Sequence, residues 1–80
     1  MNASYVSTTQ FTVAGDQTAL FTAGRRVRGD CGVDGYKYGT VQSSSYSDPN
    51  TTVTLEEEVL TSNLTVVHYG VVKPGATGSL

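Results

Sequence analysis

The stretch from Tyr36 to Leu55 restricts the fold more than any other part of the chain, because it reads as two β-strands joined by one tight turn. Tyr, Thr and Val fill both arms, and their aromatic or branched side chains pack across a pleated surface with little loss of rotamer freedom. Between the arms stands Asp48-Pro49-Asn50. Proline presets φ for the second turn position, Asp48 can bond the backbone two residues on, and Asn50 tolerates positive φ. If Asp48 and Thr51 bracket a two-residue turn, Tyr46 faces Val53 and Ser44 faces Leu55, which sends Val41 to the opposite face. A bulge within Ser43-Ser44-Ser45 moves the register by one residue and returns Val41 to the core. That bulge is expected here.

The chain has 80 residues, so it forms one domain with a single modest core, burying roughly 60–65% of its unfolded surface. The core is expected from Val13, Leu20, Phe21, Val27, Val41, Val53, Leu55, Val59, Leu60, Leu64, Val66, Val67 and some of the five tyrosines. Seven acids against five bases give a net charge of −2, which argues against duplex binding, where phosphate neutralisation supplies most of the affinity. Cys31 is the only cysteine, so one chain holds neither an internal disulfide nor a thiolate metal cluster, and a free thiol made in a reducing cytoplasm is expected. No apolar run reaches the ~18 residues of a membrane span, and residues 1–9 lack the basic and apolar regions of a signal peptide.

Taken in order, residues 1–9 read as a tether or a loose first strand. Gln10-Phe11-Thr12-Val13 alternates with period two and closes in a turn at Ala14-Gly15-Asp16-Gln17. After a short apolar step through Leu20-Phe21, Gly24 breaks the chain and Arg25-Arg26-Val27-Arg28 resumes as a strand. Three glycines in Gly29 to Gly35 mark a loop into the central hairpin. The spacing of Val59, Leu60 and Leu64 predicts one short helical or 3₁₀ turn before a last strand at Thr65 to Tyr69. Residues 71–80 read as a Gly/Pro-rich linker, leaving 10–70 as the domain. These signals predict an all-β fold, a small antiparallel barrel of five or six strands that is SH3-like, with a small Greek-key sandwich as the alternative.

Several short motifs are present. Arg28-Gly29-Asp30 spells an adhesion tripeptide, but three residues carry little information and no secretory signature accompanies them. Asn2-Ala3-Ser4, Asn50-Thr51-Thr52 and Asn63-Leu64-Thr65 match the glycosylation acceptor pattern and are read as silent on the same ground. Asp30, Asp34 and Glu56-Glu57-Glu58 lack the spacing of a calcium loop and read as solvated charge. His68 has no sequence-placed partner for acid–base work, so no catalytic residue, metal site or cofactor is expected. Arg25, Arg26 and Arg28 with Tyr36-Lys37-Tyr38 form the one mixed basic and aromatic cluster. Such a cluster suits single-stranded nucleic acid, which the net charge ranks last, while Tyr36, Tyr38 and Tyr46 offer stacking faces for a surface glycan. Charges that protect an edge strand account for the arginines equally well.

Six segments carry a resemblance: Phe11 to Thr18, Phe21 to Arg28, Tyr38 to Tyr46, Asn50 to Leu55, Leu60 to Leu64 and Val67 to Gly70. In this order and spacing they resemble a small domain of tail-fibre and other virion structural proteins of tailed bacteriophages and prophages, over roughly residues 10 to 70. The resemblance implies a non-catalytic structural or attachment role, other tail proteins as partners, and residence in the virion tail after synthesis in the bacterial cytoplasm. Its matching motifs are scaffold, with Gly24 and Gly39 as backbone breaks and Thr51 to Leu55 as a strand. Fibres of this kind are usually trimers. Without a heptad stretch, and with its apolar residues committed to its own core, the isolated chain is expected to be a monomer.

Overall fold

A computed structural model describes residues 1–72. Six antiparallel strands, β1 (Ser4–Ser7), β2 (Gln10–Ala14), β3 (Arg25–Asp30), β4 (Tyr36–Ser47), β5 (Asn50–Leu55) and β6 (Val66–Val72), form one sheet in the order β1-β2-β5-β4-β3-β6. The sheet curls into a half-barrel, and an isolated bridge between Asn2 and Val66 joins its outermost strands at one end. Strands β3, β4 and β5 follow one another in space, and the chain then returns through residues 56–65 to lay β6 beside β3, a Greek-key connection. Residues 1–9, expected as a tether or a loose first strand, supply β1 and its pairing with β2. Ahead of β1, the Ala3 amide donates to the Thr65 carbonyl and the Val67 amide to the Met1 carbonyl. Of the expected linker, Val71 and Val72 end β6 and residues 73–80 lie outside the described residues.

Alternation along the strands builds the core. Phe11 and Val13 of β2 face Val53 and Thr51 of β5, and all four side chains are buried. Val27 of β3 and Val67 of β6 extend the same interior. The two long connections seal it. Phe21, in the link from β2 to β3, is fully buried and meets Phe11 edge to face at 5.7 Å. Leu60 and Leu64, in the link from β5 to β6, are buried too and lie against Gly29 of β3, where a Cβ would sit 3.1 Å from Leu64 Cδ1. Cys31 is a buried free thiol inside this cluster. The tyrosines are not part of it: all five are at the surface, from 37% exposed at Tyr5 to 59% at Tyr38. Tyr36 and Tyr38 pair with Asp30 and Arg28 on the outer side, whereas Tyr5, Tyr46 and Tyr69 pair with the buried Phe11, Thr51 and Val27 and lie at the rim of the core, where their hydroxyls still reach solvent.

The central hairpin forms as expected, but its two-residue turn sits one position earlier, which moves each cross-strand partner by two residues. Asp48 and Pro49 are the two turn residues, flanked by Ser47 and Asn50, and Pro49 stands third in the turn with a cis bond to Asp48. Tyr46 therefore faces Thr51 and Ser44 faces Val53, not Val53 and Leu55 as expected. The bulge lies between Val41 and Ser43, just ahead of the serine run, and it does return Val41 to full burial opposite Leu55.

Among the described residues the one 3₁₀ turn is at Gly32–Asp34, between β3 and β4, and not before the last strand. Residues 61–64 instead make a turn closed by the Leu64 amide on the Thr61 carbonyl. The segment has no free run in which to wind, because its neighbours are already bonded: the Val59 and Leu60 amides donate to the Thr8 carbonyl, and the Thr65 amide to the Asp30 carbonyl. The glycine-rich loop is also shorter than expected, since Gly29 and Asp30 belong to β3.

Candidate basic and aromatic face

On β3 the burial alternates, so Val27 and Gly29 point inward while Arg26, Arg28 and Asp30 lie on the outer side. Pairing with β4 sets Arg28 beside Tyr38 and Asp30 beside Tyr36; pairing with β6 sets Arg28 beside His68 and Asp30 beside Val66. Tyr38, Arg28 and His68 thus form one row across three strands. The Greek-key return is what brings His68 to the arginines, across about 40 residues of chain.

Arg28 leans from its cross-strand partner toward the next tyrosine, and its guanidinium carbon sits 4.3 Å from the centroid of the Tyr36 ring. A cation at this distance over an aromatic face is attracted by the ring quadrupole. Arg28 Nε is buried without a hydrogen-bond partner among the described residues. An open depression of about 310 Å³ lies alongside, lined by Arg26, Val27, Arg28, Tyr38, His68, Tyr69 and Gly70. No acidic residue is among these seven. Two of the chain's five basic residues, Arg26 and Arg28, line the depression.

Of the residues expected from the sequence, the fold brings Arg26, Arg28, Tyr36 and Tyr38 together. Arg25 is set apart: its Nη1 donates to the Gly70 carbonyl at 2.8 Å and its guanidinium carbon is 5.9 Å from the Tyr69 ring centroid, so it ties β3 to β6. Tyr46 is also remote, eight positions along β4 from Tyr38, or roughly 25 Å at the usual strand rise. Its hydroxyl donates to Asp48 Oδ1 at 3.0 Å, and that bond, with some burial and the charge of Asp16, holds the phenol above its ordinary pKa. His68, Tyr69 and Gly70 were not grouped with the arginines by sequence reasoning. The alternation of His68 and Gly70 was visible, but only the β3–β6 register shows which strand they face.

The other motifs serve the fold. Arg28-Gly29-Asp30 lies inside β3 between two paired strands, with Gly29 buried, and is not presented on a loop. Asp34 Oδ2 accepts hydrogen bonds from Thr61 Oγ1 at 2.7 Å and Asn63 Nδ2 at 2.9 Å. These bonds, aided by Lys37, hold its carboxyl below the ordinary aspartate pKa. Glu57 Oε1 accepts the Thr40 amide at 2.8 Å, and Glu58 Oε1 accepts the Thr8 hydroxyl at 3.2 Å. Among the described residues no three His, Cys, Asp or Glu side chains are grouped to hold a metal ion, and no helix is long and apolar enough to cross a membrane. Comparison with protein-family models, with curated proteins and with solved structures found no match to the chain.

Proposed function

We propose that this chain is a non-catalytic attachment domain that holds its target on the outer face of β4, β3 and β6. The observation that carries this reading is the row Tyr38–Arg28–His68 beside an open depression, with Arg28 already stacked on Tyr36. A cation held by its own protein loses less freedom on binding, which favours recognition at an exposed, rigid sheet face. The six-segment resemblance supports placing such a domain in the tail of a bacteriophage or prophage, made in the bacterial cytoplasm and assembled with other tail proteins. The finer architecture carried with this proposal is an SH3-like barrel, supported by the tight curl of six antiparallel strands and the bridge between the outermost two.

A surface glycan is the target class that the face suits best, since tyrosine rings offer stacking surfaces and arginine offers directional donors. The expected result is that the fluorescently labelled chain attaches to a subset of bacterial strains and that the double variant Tyr38→Ala, Arg28→Ala no longer does, with its circular dichroism unchanged. Attachment that is indifferent to this double substitution would remove the face from the function. Mass spectrometry of purified virions that never finds the chain would remove the tail assignment separately.

A further inference from the structure

Resting on that reading, we propose that the face is built for an acidic sugar residue, a single ring whose carboxylate or phosphate lies against Arg26 and Arg28. The two arginines stand two positions apart on the outer side of β3, their Cα atoms about 7 Å from each other. Arg28 is held from one side by the Tyr36 ring, which orients its planar donors before any ligand arrives. Arg26 is exposed on the rim of the same depression. Tyr38, on the opposite side of Arg28 from His68, presents an exposed ring against which a sugar face can stack. His68 is exposed and supplies a further polar edge.

Gly70 is what leaves the space open. A Cβ at this position would meet only the Arg26 carbonyl at 3.8 Å and Arg26 Cβ at 4.0 Å, ordinary contact distances, and its φ is not in the left-handed region. The fold therefore accepts a side chain at residue 70, and that side chain would occupy the depression. At about 310 Å³ the space is at the small end of ligand sites, suited to one ring and not to a polymer lying along a groove. Single-stranded nucleic acid needs a positive track that follows several phosphates, whereas here two arginines, Arg26 and Arg28, meet at one depression in a chain of net charge −2.

The test is a ¹⁵N NMR titration of the full chain with D-galacturonic acid, D-galactose 6-phosphate, D-galactose and the oligonucleotide dT8. At least one of the two acidic sugars is expected to bind five-fold or more tighter than galactose, moving the amides of Arg26, Arg28, His68 and Gly70; which of them does so tells carboxylate from phosphate. Arg28→Gln is expected to erase the preference for the charged sugar, and Gly70→Val to abolish binding with the spectrum otherwise preserved. Equal binding of galactose and the acidic sugars would overturn the inference while leaving a glycan face intact. Binding of dT8 alone at these amides would overturn it in favour of nucleic acid. If no sugar binds yet cell attachment still depends on Arg28, the acidic-sugar inference fails and the attachment reading stands; if attachment is independent of Arg28, both fail.

Discussion

Thr51 is a polar side chain with no exposed surface, and its hydroxyl is fully used. It donates to the Gly15 carbonyl at 2.6 Å and accepts the Gln17 amide at 2.8 Å, which pins the turn after β2 onto β5. Thr51→Val keeps the shape but strands both backbone groups, so a loss of about 1–3 kcal/mol is expected in urea unfolding, with Thr51→Ser closer to the parent. Gly39 is a second such position. A Cβ there would lie 3.0 Å from Leu55 Cδ1, with Val59 and Glu57 each at 3.5 Å, and Leu55 is itself buried. Gly39→Val therefore overpacks the core despite the strand preference of valine, and a loss of about 1–3 kcal/mol is expected by the same measurement. A variant as stable as the parent would show that Leu55 can move aside. In the sequence Gly39 stood out as a glycine inside a strand, a mark of a bulge or a close approach, although not which side chains fill the space; Thr51 did not stand out, because a buried threonine in a Thr-rich strand looks like any other.

At the scale of elements, the connection from β5 to β6 is held in place by polar ties as well as by Leu60 and Leu64. One of them, from Asp34 to Thr61 and Asn63, links the 3₁₀ turn to this connection. Because the folded Asp34 carboxyl titrates below its ordinary 3.8, the ionised form is the one the fold favours. Its contribution is present above the unfolded pKa and disappears as pH falls through the lower folded value. The parent is thus expected to lose thermal stability on going from pH 5 to pH 2.5 by more than Asp34→Asn does, which differential scanning calorimetry measures. Identical pH profiles would show that the tie adds nothing, a live outcome for a fully exposed carboxylate screened by water. The helical turn expected in this connection was misplaced for a related reason: the spacing of Val59, Leu60 and Leu64 reports that they share a direction, and a strap pressed onto Gly29 satisfies that as well as a helix does.

For the whole molecule, the arrangement of edges bears on association. The bridge from Asn2 to Val66 and the bonds of Met1 and Ala3 cover the start of β6, and β1 is short and exposed. Short edges and a partly closed seam limit strand pairing between chains. With the buried apolar residues gathered in one core and the exposed ones, such as Val6 and Val33, scattered, sedimentation equilibrium at low micromolar loading is expected to return the monomer mass of 8.4 kDa. A mass near three times that value would place a trimer interface within these residues.

What residue order alone determined is local: the all-β class, the 36–55 hairpin and its turn, the need for a bulge that buries Val41, and the basic and aromatic residues from which a face could be made. Each follows from interactions between near neighbours, where period-two alternation and turn chemistry leave few options. Tertiary structure decided the rest. It moved the hairpin turn by one position and so each cross-strand partner by two, drew β1 into the sheet and kept all five tyrosines at the surface. It also placed His68 and Gly70 beside Arg26 and Arg28 while separating Arg25 and Tyr46 from them. Those outcomes depend on which strands meet and in what register, and the pairing of β3 with β6 across a long connection is set by the packing of Leu60, Leu64 and Val67 into a shared core, which no window of neighbouring residues contains.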